Sequence, residues 1–256
     1  MLKALVARTR FGNRTIGFPQ CQPTLPTRFR GRPEFSSELC RHGCLECVQT
    51  CPTEALRIAG GHPECDLGRC LFCGECETAC HNGVIRFSRD YSMGASERSD
   101  LVIGPDTERK LIQSLSAEML RLFRRSLRLR QVSAGGCNGC EVEVNVLNTI
   151  VFDLGRFGIQ FVASPRHADG LLITGPVTEN MRSALLKTYE AVPEPKLVIA
   201  VGACAISGGP YVNHPQVHNG AASQLKVDLF IPGCPPHPVT TLDALLRLLS
   251  RMPTGR

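Results

Sequence analysis

The chain has no tryptophan and only three tyrosines in 256 residues, so the aromatic platforms on which single-stranded nucleic acids stack are scarce. It also lacks an apolar run near the ~18 residues that a membrane-spanning helix needs. The longest candidate, Leu197 to Ile206, contains glycine and cysteine and is strand-sized. The opening residues MLKALVARTRFGN have neither the apolar core of a secretory signal nor an arginine pair for twin-arginine export. These absences lead to the expectation of a soluble, cytoplasmic protein. Cytosolic thiols stay reduced, so the fourteen cysteines call for metal ligation or redox chemistry rather than a disulfide framework. There is no Ser/His/Asp set, no Walker-type phosphate loop and no dinucleotide fingerprint after a strand. No catalytic residue for a substrate of its own is therefore expected.

What is present is a globular balance, 43% hydrophobic and 20% charged, in a length that suits one or two domains. The net charge of +6 comes from 29 Lys and Arg against 23 Asp and Glu. Arg121, Arg124, Arg125, Arg128 and Arg130 fall within ten residues, and a solvated or partner-facing helix is the preferred reading over a nucleic-acid contact. Texture divides the chain into four parts. Residues 1–35, rich in Pro, Arg and Gly, read as an extended arm. Residues 36–91 hold nine of the cysteines in short loops, and 92–128 read as a linker with an amphipathic helix. Its apolar face over 107–128 would carry Leu111, Leu115, Met119, Leu122 and Phe123. Residues 129–252 alternate strands and helices.

Two cysteine runs dominate the second part. Cys40, Cys44, Cys47 and Cys51 are spaced C-x3-C-x2-C-x3-C and followed by Pro52; Cys70, Cys73, Cys76 and Cys80 are spaced C-x2-C-x2-C-x3-C. Four-cysteine zinc sites use two close pairs with a long spacer between them, whereas crowded triples on one loop suit a [4Fe–4S] cluster. In two-cluster proteins the fourth cysteine of each run serves the other cluster. Cys40, Cys44, Cys47 and Cys80 are accordingly assigned to one cluster, and Cys70, Cys73, Cys76 and Cys51 to a second. The domain then reads as an α+β bacterial-type 2[4Fe–4S] ferredoxin. Two departures are a first spacer of three residues and His81, not proline, after Cys80.

In the last part, continuous apolar runs at Leu127–Val132, Ile159–Ala163, Leu171–Thr174, Leu197–Val201 and Val227–Ile231 predict strands buried on both faces of a parallel sheet. Helices are predicted at Glu141–Phe152, Glu179–Ala191 and Val239–Leu249, the middle one capped by Thr178. This alternation indicates a doubly wound, flavodoxin-like α/β domain. Cys137, Cys140, Cys204 and Cys234 each follow a predicted strand in a glycine-bearing loop, and ligands of open α/β sheets sit beyond the carboxyl ends of strands. A third [4Fe–4S] cluster is the preferred reading there, a four-thiolate zinc site the competing one. Cys21 and Cys65 are left over and read as plain thiols.

The segments CNGC at 137–140, SPRHAD at 164–169, TGPVTENM at 174–181, VGACAISGG at 201–209 and IPGCPP at 231–236 resemble the small subunit of membrane-associated [NiFe] hydrogenases. They are most similar to the formate hydrogenlyase type, related to the 20 kDa subunit of complex I. RFRGRP at 28–33 and the two cysteine runs resemble the two-cluster ferredoxin subunit of the same assemblies, here joined in one polypeptide. The resemblance implies three [4Fe–4S] clusters, that of Cys137, Cys140, Cys204 and Cys234 being proximal to a separate large subunit with the nickel–iron centre. It further implies membrane-integral partners on the cytoplasmic face and an electron donor such as a formate dehydrogenase or a ferredoxin. A quinone-reducing, complex I-like relay is the alternative. The complex I subunit uses adjacent cysteines, whereas Asn138-Gly139 separate Cys137 from Cys140, which favours the hydrogenase branch. Glu143 matches a carboxylate position common to both relatives, with a proton or tuning role, and Arg166 and His167 are candidates for the large-subunit interface.

Overall fold

A computed structural model describes residues 2–36, 40–108, 110 and 112–253. The arm expected to be extended begins instead with a helix, α1 (Leu2–Phe11). Leu2, Leu5 and Val6 recur at helical spacing and no proline precedes Pro19, so nothing local breaks the turn. Leu2, Leu5, Val6 and Phe11 all stay exposed. The rest of the arm is not free of the core. Phe18 is fully buried, edge-on to Tyr91 at 5.9 Å, and its carbonyl accepts from Arg156 Nη2 at 2.9 Å.

The cysteine-rich stretch folds as one pattern used twice. β1 (Pro33–Phe35), α2 (Glu46–Thr50) and β2 (Leu56–Ala59) are followed by β3 (His62–Asp66), α3 (Glu75–Ala79) and β4 (Ile85–Phe87). The outer strands β1 and β4 pair antiparallel. The inner strands β2 and β3 form a hairpin whose turn, Gly60-Gly61, has positive φ at both positions, as a tight hairpin demands. α2 packs on α3. The segment expected as linker adds a strand of its own, β5 (Val102–Ile103), to the open edge of β3.

Between the two halves, α4 (Ala117–Phe123) is shorter than the helix predicted over 107–128. Ser116 Oγ accepts from the Met119 N–H at 3.3 Å and starts the helix there, because upstream donors are used elsewhere. The Leu115 N–H goes to the Leu248 carbonyl and the Gln113 N–H to Ser96 Oγ. Phe123 is buried, but Leu122 is exposed; Leu111 lies outside the described residues. The five arginines do not share one helix, since Arg128 and Arg130 fall on the following strand.

That strand, β6 (Leu127–Ser133), is joined by β7 (Ile159–Phe161), β8 (Gly170–Thr174), β9 (Leu197–Val201) and β10 (Leu229–Ile231). All neighbours are parallel and the order is β7-β6-β8-β9-β10. Numbered from β6, this is the 2-1-3-4-5 order of flavodoxin-like doubly wound sheets, with its switch point between the first and third strands. Every residue of β8, β9 and β10 is buried. The covering helices are α5 (Gly139–Val146), α6 (Glu179–Ala191), α7 (Ala203–Ser207) and α8 (Pro238–Leu248). In α8 all but Arg247 are buried. α5 stops short of the predicted Phe152, and turns follow in which Leu154 N–H bonds to Leu147 O. Thr178 holds the position before α6 but makes no side-chain cap. It faces Gly135, where an added Cβ would lie 2.4 Å from its Oγ1.

The halves are bound to each other. Ser207 Oγ donates to Gly68 O at 2.9 Å directly, and the connecting segment ties to both: Arg98 donates two hydrogen bonds to the Asp66 carboxylate at 2.8 and 2.6 Å, and Ala95 bridges to Phe230 on β10. Leu56, Ile85, Met93, Ile173 and Phe230 belong to one apolar cluster. Among the described residues, no helix is long and apolar enough to cross a membrane. Leu172, on the central strand and fully buried, sets the scale of the core: Leu172→Ala should lower unfolding free energy by about 2–5 kcal/mol. Leu122→Ala, at an exposed position, should stay within about 0.5 kcal/mol. Urea denaturation of the anaerobically prepared protein measures both.

Candidate metal centres

Each thiol-bearing loop of the α/β half leaves the carboxyl end of a parallel strand through a residue that only a special backbone conformation allows. After β6, Gly135 has φ +88°, and Asn138, at φ +72°, precedes α5, which carries Cys140 in its first turn. After β9, Gly202 at φ +91° opens α7 with Cys204. After β10, Gly233 leads to Cys234, whose bond to Pro235 is cis. Space explains the second glycine as much as angle does. A Cβ on Gly202 would lie 2.4 Å from Cys140 Sγ, and one on Gly209 would lie 2.8 Å from Cys204 Sγ.

The four sulfurs feel one another. Burial first, and then the charges of Cys204, Glu141, Cys234 and Cys137, push the Cys140 thiol far above its ordinary range. Burial and the charges of Cys234 and Cys137 push Cys204 up to about 11, and burial and Cys137 raise Cys234. Such thiols stay protonated at neutral pH, so a metal group that binds them must displace protons. The donor set is all sulfur, which suits iron–sulfide or zinc chemistry rather than hard oxygen-seeking cations. Among the described residues, no three His, Cys, Asp or Glu side chains are grouped tightly enough to hold a single metal ion.

In the N-terminal repeat, Cys40, Cys44, Cys47 and Cys80 line one cavity with Pro63, Val84 and Ile85. Cys51, Cys70, Cys73 and Cys76 line another with Leu56 and Phe87. The last cysteine of each run thus crosses to the group formed by the other run, because α2 and α3 lie side by side. Burial and neighbouring thiols raise Cys40 and Cys47 in the first group and push Cys76 up to about 12 in the second. Backbone amides already point at sulfur: Ala55 N–H donates to Cys51 Sγ at 3.2 Å and Phe72 N–H to Cys70 Sγ at 3.3 Å. The second group lies near the strand-end group: Leu71 and Phe72, between Cys70 and Cys73, line one cavity with Cys234, and the charges of Cys70 and Cys73 act on Cys234 as well as that of Cys137.

That cavity, of about 250 Å³, is lined by Arg28, Arg30, Phe72, Glu143, Cys234 and His237, among others. Glu143 is half-buried there, and burial raises its carboxyl pKa. His237 sits between the edges of Phe29 and Phe152 at 5.4 and 6.4 Å. Its Nδ1 accepts from the Val239 N–H at 3.2 Å, and burial lowers its pKa. Arg166 and His167 are not brought to the thiols. They are exposed on a turn that leads into the first residue of β8, the opposite end from the thiol-bearing loops, and that turn packs on α6.

Two residues escaped the sequence reading. Glu141, 7% exposed, accepts from Ser133 Oγ at 2.6 Å and Thr174 Oγ1 at 2.7 Å, hydroxyls at the ends of β6 and β8. Its place directly after Cys140 was the available signal, outweighed by Glu143. Cys65 lines the second cavity with its four neighbours. No spacing rule points to it, since pairing of β3 with β2 places it there. Cys21 is exposed in the arm beside Gly17.

Residues 137–248, from the strand-end cysteines through α8, match the family described as NADH ubiquinone oxidoreductase, 20 Kd subunit. Formate hydrogenlyase subunit 7 of Escherichia coli (strain K12) is 46% identical over 138 residues, 54% of this chain and 54% of that protein. The chain therefore spans about half the length of that relative. The probable membrane-bound hydrogenase subunit mbhJ of Pyrococcus furiosus is 38% identical over 147 residues, 57% of this chain and 88% of that protein. An NADH-quinone oxidoreductase subunit of Clostridium beijerinckii is 37% identical over 161 residues, 62% of this chain and 94% of that protein. These relatives are subunits of oxidoreductase complexes. With nearly the whole of the clostridial protein aligned to it and its strand-end loops inside the matched region, this chain belongs to the NADH ubiquinone oxidoreductase 20 Kd subunit family.

Proposed function

We propose that this chain is the electron-transfer subunit of a membrane-associated [NiFe] hydrogenase complex of the formate hydrogenlyase type, carrying electrons to or from a separate large subunit. The observation that supports the reading is that Cys137, Cys140, Cys204 and Cys234 leave the ends of three parallel strands and act on one another electrostatically, with Cys234 lining one cavity with Leu71 and Phe72, the residues between Cys70 and Cys73. Residues 36–91 act as a 2[4Fe–4S] ferredoxin-like domain, residues 92–128 connect it, and residues 129–252 form the proximal-cluster domain. Cys40, Cys44, Cys47 and Cys80 would hold one [4Fe–4S] cluster, Cys51, Cys70, Cys73 and Cys76 a second, and the four strand-end cysteines a third. When bound, such clusters supply one-electron redox capacity.

The rest is the work of the chain itself. The crossing of Cys51 and Cys80 between the groups holds the N-terminal pair side by side, and the cavity that Cys234 shares with Leu71 and Phe72, between Cys70 and Cys73, supports the order first group, second group, strand-end group. The Ala55 and Phe72 amides stabilise negative charge on sulfur. The hydroxyls of Ser133 and Thr174 hold the Glu141 carboxylate, next in sequence to Cys140, and Glu143 lines the cavity beside Cys234, where it can hold a proton. The large subunit docks over the exposed Cys137 and Cys234, membrane-integral subunits supply the bilayer contact on the cytoplasmic face, and a formate dehydrogenase or ferredoxin serves as donor. The higher identity to the hydrogenlyase relative, and Asn138-Gly139 between the first two strand-end cysteines, favour this over a quinone-reducing relay. The 94% coverage of the NADH-quinone oxidoreductase relative keeps that relay as the second reading.

Anaerobic purification should yield about twelve irons and twelve acid-labile sulfides per chain, as three cubane clusters require. Stoichiometric zinc without sulfide overturns the reading, and a nickel-containing partner in the same preparation separates the hydrogenase from the quinone reductase. Cys137→Ser or Cys234→Ser should remove about four irons and abolish hydrogen turnover while the N-terminal clusters keep their spectra. Gly202→Ala should cost the same cluster while leaving all four cysteines in the sequence, because the new methyl would fall on Cys140 Sγ. Retention of all the iron in that variant would show that the loop does not hold the metal group closely.

A further inference from the structure

The segment RFRGRP at 28–33 is fixed to the chain just after β4. Gly31 N–H donates to Ser88 O at 2.8 Å, Arg32 N–H to Asp90 O at 2.9 Å, and Ser88 N–H to Arg32 O at 3.1 Å. A Cβ at position 31 would lie 2.2 Å from Asp90 O, so glycine is what permits this close approach. On the other side Phe29 stands edge-on to His237 at 5.4 Å. Arg30, between these anchors, reaches the loop that carries Cys73. Its Nη1 donates to Phe72 O at 3.4 Å. Its guanidinium lies against Gly74, where an added Cβ would stand 2.7 Å from Nε and 3.0 Å from Nη2. Phe72 and Gly74 flank Cys73, and both have positive φ, +55° and +85°. A cation is thus laid on the backbone at both sides of one thiol. Arg28, Arg30, Glu143 and Cys234 line the same cavity, so one carboxylate shares it with two guanidiniums and positive charge is in excess.

We propose that Arg30 tunes the second thiol group: its guanidinium, held against the residues on both sides of Cys73, raises the reduction potential of the centre that Cys73 helps hold. The inference rests on the reading of Cys51, Cys70, Cys73 and Cys76 as [4Fe–4S] ligands. Reduction adds one negative charge to such a centre, and cluster potentials follow the net charge around them. A fixed cation nearby therefore favours the reduced state. Arg30 is exposed, so dissolved salt weakens its field. The effect falls on the group placed between the first group and the strand-end group, which favours an electron resting there before it crosses.

The test is a potentiometric titration of the full chain, prepared without air and followed by electron paramagnetic resonance, with iron counted in each variant. Arg30→Gln removes the charge but keeps a donor for Phe72 O; Arg30→Lys keeps the charge without the planar fork. Three results together support the proposal: full iron in both variants, one midpoint potential lowered in Arg30→Gln but not in Arg30→Lys, and a difference that shrinks as salt is raised. The shifted signal should be the one that Cys73→Ser abolishes; a shift confined to another centre overturns the proposal. Unchanged potentials in a fully loaded Arg30→Gln overturn it, as does an equal shift in both variants, since charge would not then be the cause. Loss of about four irons in Arg30→Gln also overturns it, because the side chain would then serve the folding of the loop and not its potential. An unmutated chain that takes up no sulfide-bridged iron defeats the ligand assignment itself, and this inference with it.

Discussion

Thiols crowded into half-buried positions repel one another as soon as they ionise, and little else in the molecule makes sense without that constraint. Burial and mutual charge push Cys204 to about 11 and Cys76 to about 12, and Cys140 higher still. A chain that gathers sulfur this way holds groups that water would otherwise keep apart. The scaffold must therefore be stiff where the thiols leave it. The parallel strands β8, β9 and β10 are buried along their whole length, and beyond β9 the chain bends at Gly202 and Gly209, whose replacement would strike sulfur.

The N-terminal repeat solves the same problem by symmetry. Two copies of one β-α-β pattern set their short helices together, so that a cysteine at the end of each helix reaches the neighbouring group. Polar ties and shared apolar packing then fix this unit to the sheet. Asp66 anchors Arg98, Ser207 reaches Gly68, and Phe230 pairs with Ala95. Proximity between the two halves is thus built into the packing and does not depend on a flexible tether.

Much of this was legible in the residues. Continuous apolar runs named the strands, since a strand covered on both faces has no polar alternation to hide. Glycine beside Cys137, Cys204 and Cys234 marked loops at strand ends. Where the sequence misled, a local pattern met a competing bond: the helical spacing of Leu115 with Met119 gave way to Ser116 as a cap and to the Leu115 amide bound to Leu248. Thr178 looked like a cap and is turned to Gly135. In the arm, proline and arginine content suggested an extended chain, while the proline-free stretch before Pro19 folds into α1.

By itself the sequence determined the strand–helix alternation and the spacing of its cysteines, because both are short-range properties of a chain with fixed bond lengths. Tertiary structure alone decided what stands around those thiols. Cys65 shares a cavity with Cys70 through strand pairing, Glu141 is buried and bound by hydroxyls from two different strands, and Arg166 and His167 are left at the far end of the sheet. Those outcomes depend on contacts between residues distant in the chain, which no local spacing encodes.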